Sequence, residues 1–143
     1  MTQVLLDINV VLDVLANREP FAADAETVLA KIEAGVIRGY VAAHTITTLH
    51  FLASKHLGRA KTRRVLTDLL QVLEVVSVDE DRLRYALGLN WTDFEDAVQA
   101  ACAEKAEVDY LVTRDKTGFK RSTVKPVTPA EVLAIIGSQP GAT

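Results

Sequence analysis

"VLLDINVVLDVL" (Val4–Leu15) opens on branched aliphatics, meets an acid at Asp7, and continues with apolar residues at helical spacing. A short unbroken apolar run reads as a buried strand, so "QVLLD" (Gln3–Asp7) is expected to be β and "INVVLDVLANR" helical. The pattern puts a carboxylate where a buried strand ends, and a buried carboxylate without a partner is costly. Two explanations fit. Either Asp7 simply begins the helix, or the fold needs a negative charge at the edge of its sheet.

The rest of the chain supplies that sheet. "PFAADAETVLAKIEAG" reads as a helix with Pro20 at its start and Gly35 at its end, and "IRGYVAA" as a second strand. Two helices, "HTITTLHFLASKHLG" and "RAKTRRVLTDLLQVL", are separated at Gly58, and "EVVSV" (Glu74–Val78) is a third strand. Asp79 is placed to cap the helix "EDRLRYALGL". "NWTDFEDAVQAACAEKA" opens another helix, with Thr92 and Glu95 at capping-box spacing, and "DYLVT" (Asp109–Thr113) is a fourth strand. A last strand, "TVKPV", leads into "TPAEVLAII", where Thr128 caps, Pro129 takes the first helical position and Glu131 completes a capping box.

Strands separated by whole helices need crossover connections. The expected class is therefore α/β, with a central, mostly parallel sheet of about five strands flanked by helices on both faces. Ligands in such folds sit at the carboxyl ends of the strands. Asp7 ends the first strand and Asp115 lies two residues past the end of the fourth, so both acids fall at one sheet edge.

Composition narrows the functional classes. The 143 residues are 49% hydrophobic and 24% charged, an ordinary globular balance for one domain. A formal charge of −3 argues against a protein whose whole surface holds nucleic acid. Two local runs are nonetheless basic: "SKHLGRAKTRR" (Ser54–Arg64) and "TRDKTGFKRSTVK" (Thr113–Lys125). Each alone reads as a solvated face; together they are suited to holding a phosphate backbone beside an acidic site. No apolar run approaches the ~18 residues of a membrane span and no signal-like leader is present, so no membrane association is expected and the cytoplasm is the expected address. Cys102 is the only cysteine, which excludes an intrachain disulfide and a cysteine-based zinc site; its small-residue helix makes it a packing residue. His44, His50 and His56 are spaced by six and share no helix face.

A third acidic group lies in "TDFEDA". Asp93 and Asp96 are three apart on the first helical turn, where the helix dipole favours acids by about 0.3–1 kcal/mol each. That accounts for one acid more easily than for Asp93, Glu95 and Asp96 together, which repel one another. The sheet edge thus gathers Asp7, Asp96 and Asp115 with Asp93 nearby, a cluster that cannot stay fully ionised without a counter-ion. Hard oxygen donors of this kind suit Mg2+ or Mn2+.

Four segments, "LLDINVVLDVLANREPF", "DFEDAVQAACA", "DYLVTRDKTGF" and "VTPAEVL", occur in this order along nearly the whole chain. In them the sequence resembles the PIN domains, metal-dependent ribonucleases that include the VapC-type toxins of toxin–antitoxin pairs. The first block resembles the family's strand-ending Asp-x-Asn, giving Asp7 and Asn9. The second resembles its Asp-Ala helix start, giving Asp96 with Asp93 as an extra acid, and the third its Thr-x-Asp/Asn segment, giving Thr113 and Asp115. Two positions depart from the pattern. Thr48 stands where many members carry a glutamate, and Gly118 where an aspartate often precedes the phenylalanine.

The resemblance implies a PIN-like nuclease domain over residues 1–137 with a short tail at 138–143, hydrolysing RNA phosphodiester bonds with Mg2+ or Mn2+. It implies catalytic and metal-ligating roles for Asp7, Asp96 and Asp115, with Asp93 as a further metal acid. Asn9 and Thr113 become hydrogen-bonding supports for the carboxylates, with helix-cap and strand-end readings of equal weight. Adjacency makes Arg114 and Lys116 candidate RNA contacts. It also implies a cognate antitoxin protein and a homodimer, the apolar helices "TITTLHFLA" and "VLTDLLQVL" offering a surface for the latter. Two other readings compete: a PIN-fold RNA- or protein-binding module with weak or no nuclease activity, suggested by Thr48 and Gly118, and an acid-cluster phosphatase. The phosphatase ranks last, because it wants Asp-x-Asp-x-Thr and "DINVV" supplies Asn9 and Val11.

Overall fold

A computed structural model of the chain describes residues 1–139. Position 140 and those after it, including most of the expected tail, lie outside the described residues. In chain order the elements are β1 (Gln3–Leu6), α1 (Ile8–Leu15), α2 (Ala22–Glu33), β2 (Arg38–Ala42), α3 (Ala43–Leu57) and α4 (Arg59–Val72). They continue as β3 (Glu74–Val76), α5 (Glu80–Leu89), α6 (Phe94–Lys105), β4 (Tyr110–Val112), β5 (Lys125–Val127) and α7 (Pro129–Gly137). The five strands form one sheet in the order β3-β2-β1-β4-β5, every pair parallel, as the crossover argument requires.

β1 is the middle strand, and its Val4, Leu5 and Leu6 are fully buried. Side-chain alternation sends Val4 and Leu6 into one core with residues of α1, α2, α3, α4 and α7. Leu5 enters the opposite core with α5 and α6. A strand covered on both faces must be apolar throughout, which is why it reads as an unbroken run in sequence. The expected strands are each one or two residues too long, since their terminal residues lie beyond the paired ladder.

Strands β1, β2 and β3 extend the sheet in one direction, and the chain then returns to place β4 on the other side of β1. The reversal makes the β1–β4 junction the switch point of the sheet, where the carboxyl ends of two adjacent strands open a crevice. Ladder bonds run to its edge: the Asp7 amide donates to the Val112 carbonyl at 2.9 Å and the Thr113 amide to the Val127 carbonyl at 2.8 Å.

Two caps form as read from sequence. The Asp79 side chain accepts from the Arg82 amide, and Thr128, Pro129 and Glu131 make the full capping box of α7. The expected box at Thr92 and Glu95 does not form. The α6 helix starts one residue later, with Asp93 as its cap accepting from the Asp96 amide at 3.0 Å. A carboxylate at that position accepts from the helix amide and complements the dipole, so it displaces the threonine. Glu95 is thereby released, and its Oε2 lies 3.5 Å from the Thr48 hydroxyl on α3.

The apolar residues of α3 and α4 are divided: Leu49, Ala53, Leu66 and Leu69 are in the core, whereas Phe51 and Leu70 are exposed. No helix among the described residues is long and apolar enough to cross a membrane.

Candidate active site

Asp7 has the backbone of a helix N-cap, with φ −63° and ψ 147°, yet its side chain makes no cap hydrogen bond. The carboxylate instead points into the crevice, with the side chain only 2% exposed. Its Oδ1 accepts from the Gln99 amide nitrogen at 3.0 Å and its Oδ2 from the Thr113 hydroxyl at 2.9 Å. Both donors are neutral. Burial raises the Asp7 pKa from its ordinary value, and the hydrogen bonds from Gln99 and Thr113, with the nearby backbone amides of Ile8 and Asn9, only partly oppose that rise.

Asp96, on the first turn of α6, faces the same crevice. The Gln99 amide that serves Asp7 also lies 3.4 Å from Asp96 Oδ1, so one side chain links the two acids. Gln99 is itself completely buried, and its carbonyl oxygen accepts from the Ile8 amide at 3.0 Å. The Asp96 pKa is pushed up to about 7, first by burial and then by the negative charges of Asp93, Asp7, Asp115 and Glu95.

The loop after β4 closes the cluster. Thr113 donates to Asp7 and accepts from the Asp115 amide at 3.0 Å, and Asp115 Oδ1 accepts from the Gly118 amide at 3.1 Å. A Cβ built on Gly118 would lie 2.7 Å from Asp115 Oδ2 and 3.5 Å from Asp96 Oδ2. Both carboxylates thus converge on the notch that a glycine leaves open, and any side chain at 118 would have to displace Asp115. The crevice widens here into an open cleft of about 500 Å³ whose lining includes Asp93, Asp96 and Asp115.

Among the described residues no Lys or Arg forms an ion pair with any of these carboxylates. Arg114, one residue from Asp115, pairs instead with buried Asp13 at 3.0 Å and stacks over the Phe21 ring at 4.1 Å. Lys116 pairs with Glu131 at 3.0 Å. Asn9 is turned away from the carboxylates, its Oδ1 accepting from Arg18 at 3.1 Å. His44 on α3 has both ring nitrogens buried without a hydrogen-bond partner. Burial lowers its pKa below the ordinary value, more strongly than Glu95 raises it, so it brings no positive charge at neutral pH.

A family model described as a PIN domain matches residues 3–117, and its span includes every side chain of this cluster. The chain belongs to the PIN-domain family. Among solved structures, a toxin–antitoxin complex from Klebsiella pneumoniae matches with a TM-score of 0.67 at 22% identity, covering 88% of this chain and 97% of that one. DNA-bound VapBC from Salmonella typhimurium matches at 0.68 and 17% identity, over 90% of this chain and 99% of that one. VapBC-1 from nontypeable Haemophilus influenzae matches at 0.69 and 16% identity, with the same coverage. At such identities the likeness is one of fold. No curated protein matches the chain.

The PIN-domain cluster also contains one residue that sequence reasoning missed. Gln99 follows Asp96 by three positions, which puts both on one helix face, and a lone amide among "AVQAACA" was the available signal. Donor chemistry in the cluster suits a hard divalent cation: carboxylate oxygens only, mutually repelling, with neutral supports behind them. The spacing is open. Among the described residues no three His, Cys, Asp or Glu side chains stand close enough to hold an ion as placed. The acids ring the cleft, and inward rotation of side chains is needed to close them on one point.

Proposed function

We propose that this PIN domain is a Mg2+- or Mn2+-dependent endoribonuclease and the toxin component of a toxin–antitoxin pair. The observation that carries the reading is the carboxylate cluster at the switch point, where burial and neighbouring acids raise Asp96 to about 7 and no ion pair among the described residues holds it. Asp7, Asp96 and Asp115 would hold the ion, and Asp93, one turn earlier, would contribute further charge while capping α6. When bound, such an ion activates water and neutralises charge on the phosphoryl group and leaving oxygen. The chain's own part is to fix the acids. Gln99 and Thr113 hold the two oxygens of Asp7, and Thr113 and Gly118 orient Asp115.

The toxin assignment draws on the neighbours, one of which is a toxin–antitoxin complex by description and two of which are VapBC structures. A cognate antitoxin and a homodimer follow from the same reading, with exposed Phe51 and Leu70 available to a second copy. The cytoplasm is the proposed location.

The test is RNA cleavage with Mg2+ or Mn2+, comparing wild type with Asp7→Asn and Asp96→Asn and using chelator as control. Loss of cleavage by at least ~100-fold in both variants and in chelator is expected, since even groups that only support metal ligands change activity by 10–100-fold. Wild-type rates in a folded Asp96→Asn protein would overturn the role of Asp96. Absence of cleavage by folded wild type across varied RNAs would favour the binding-module reading, for which the open spacing of the acids and Gly118 speak.

A further inference from the structure

A polyanion approaching four carboxylates needs fixed cations at the rim of the cleft, and the nearest candidates in sequence are engaged elsewhere. Arg114 is held by Asp13 and Lys116 by Glu131. Arg59, Arg63 and Arg64 line a separate groove along α4, together with Asp68, that includes none of the clustered acids. Lys120 and Arg121, in the loop between β4 and β5, line the acidic cleft itself, and neither forms an ion pair among the described residues. Arg121 donates to the Leu89 carbonyl at the end of α5 at 3.2 Å, which ties its guanidinium to the cleft wall.

Trp91 lines the same cleft. Its ring meets that of Phe119 edge to face, with centroids 6.1 Å apart and planes at 74°. Phe119 is fully packed into the core, so the half-buried indole is anchored from behind. An anchored aromatic ring beside two unpaired cations is the combination that holds a single strand, through one stacked base and its flanking phosphates. The cleft volume of about 500 Å³ falls in the range of small-ligand sites.

Resting on the nuclease reading above, we infer that this cleft is a nucleotide subsite for single-stranded RNA. Trp91 stacks an unpaired base and Lys120 and Arg121 take the phosphates on either side of it. A duplex hides its base faces and cannot use the indole.

Trp91 is the only tryptophan in the chain, so its fluorescence reports the subsite directly. The experiment titrates a short single-stranded RNA, and separately the same RNA in a duplex, into the Asp96→Asn protein with Mg2+. Labelled-RNA anisotropy is followed in parallel. The single strand is expected to quench Trp91 and the duplex not to. Lys120→Ala and Arg121→Ala, each made in that background, are expected to weaken binding about tenfold and to flatten its salt dependence by roughly 0.7 in log–log slope apiece. Binding seen by anisotropy without quenching, equal quenching by duplex, no binding at all, or unchanged affinity in both lysine and arginine variants would overturn the subsite. The two readings fail separately. Metal-dependent cleavage by wild type with no quenching keeps the nuclease and rejects the subsite, whereas quenching with no cleavage does the reverse.

Discussion

Two buried aspartates near the first helix have opposite fates. Asp13, 1% exposed, is met by Arg18 at 2.8 Å and Arg114 at 3.0 Å, and Arg18 also reaches Asn9. Asp7, 2% exposed and six residues earlier, is met only by an amide and a hydroxyl, and faces other acids across the cleft. Burying a charge is costly unless it is paired, so Asp13 is what a fold does with a structural acid. Asp7 and Asp96 show the other arrangement, in which the protein supplies neutral supports and no ion-pair partner among the described residues. The comparison answers the question raised by the first strand: Asp7 occupies a helix-cap position but its side chain does not cap.

Ways to break this contrast begin at Gln99. Gln99→Leu keeps volume but removes the link between Asp7 and Asp96 and leaves the Ile8 amide without its partner. Affinity for Mn2+, read by titration calorimetry, should fall roughly 10–100-fold. An unchanged affinity would show that Gln99 serves packing alone.

A smaller and different effect is expected at Asp13. Asp13→Asn strands two arginines, both about one-third exposed and so partly screened. Stability to urea should drop by about 2 kcal/mol while the folded protein keeps its Mn2+ affinity. Loss of metal binding there would erase the distinction between the two acids.

The smallest effect is in pH dependence. A carboxyl whose pKa is raised in the folded state stabilises the fold below its unfolded value, near 3.8, and that contribution is lost as pH rises through about 7. In chelator, wild type should therefore gain melting temperature relative to Asp96→Asn between pH 8 and pH 5, by roughly 1–3 °C given that Asp96 is only half-buried. A constant difference across that range would mean that Asp96 titrates as an ordinary carboxylate.

Much of this was legible in the sequence because it is local. The buried run of β1, the helices between strands and the capping box at Thr128 carry their signals within a few residues, and the alternation of strands and helices then places Asp7 and Asp115 at one edge. What escaped is non-local. Arg114 sits beside Asp115 in sequence, but an acid about a hundred residues away, Asp13, holds its guanidinium. Asn9 lies two residues from Asp7 and bonds to Arg18 instead. Gln99 acts through Asp7, just past β1, and Ile8 at the start of α1, which only the folded sheet brings to it. The start of α6 moved by one residue because two cap candidates, Thr92 and Asp93, compete there, and the carboxylate accepts the Asp96 amide.

The most direct test of the contrast between Asp7 and Asp13 is the heat of Mn2+ binding to wild type, Asp96→Asn and Asp13→Asn at pH 7.5. The account predicts saturable binding in wild type and Asp13→Asn, and its loss in Asp96→Asn. Binding that survives in Asp96→Asn, or disappears in Asp13→Asn, would contradict it.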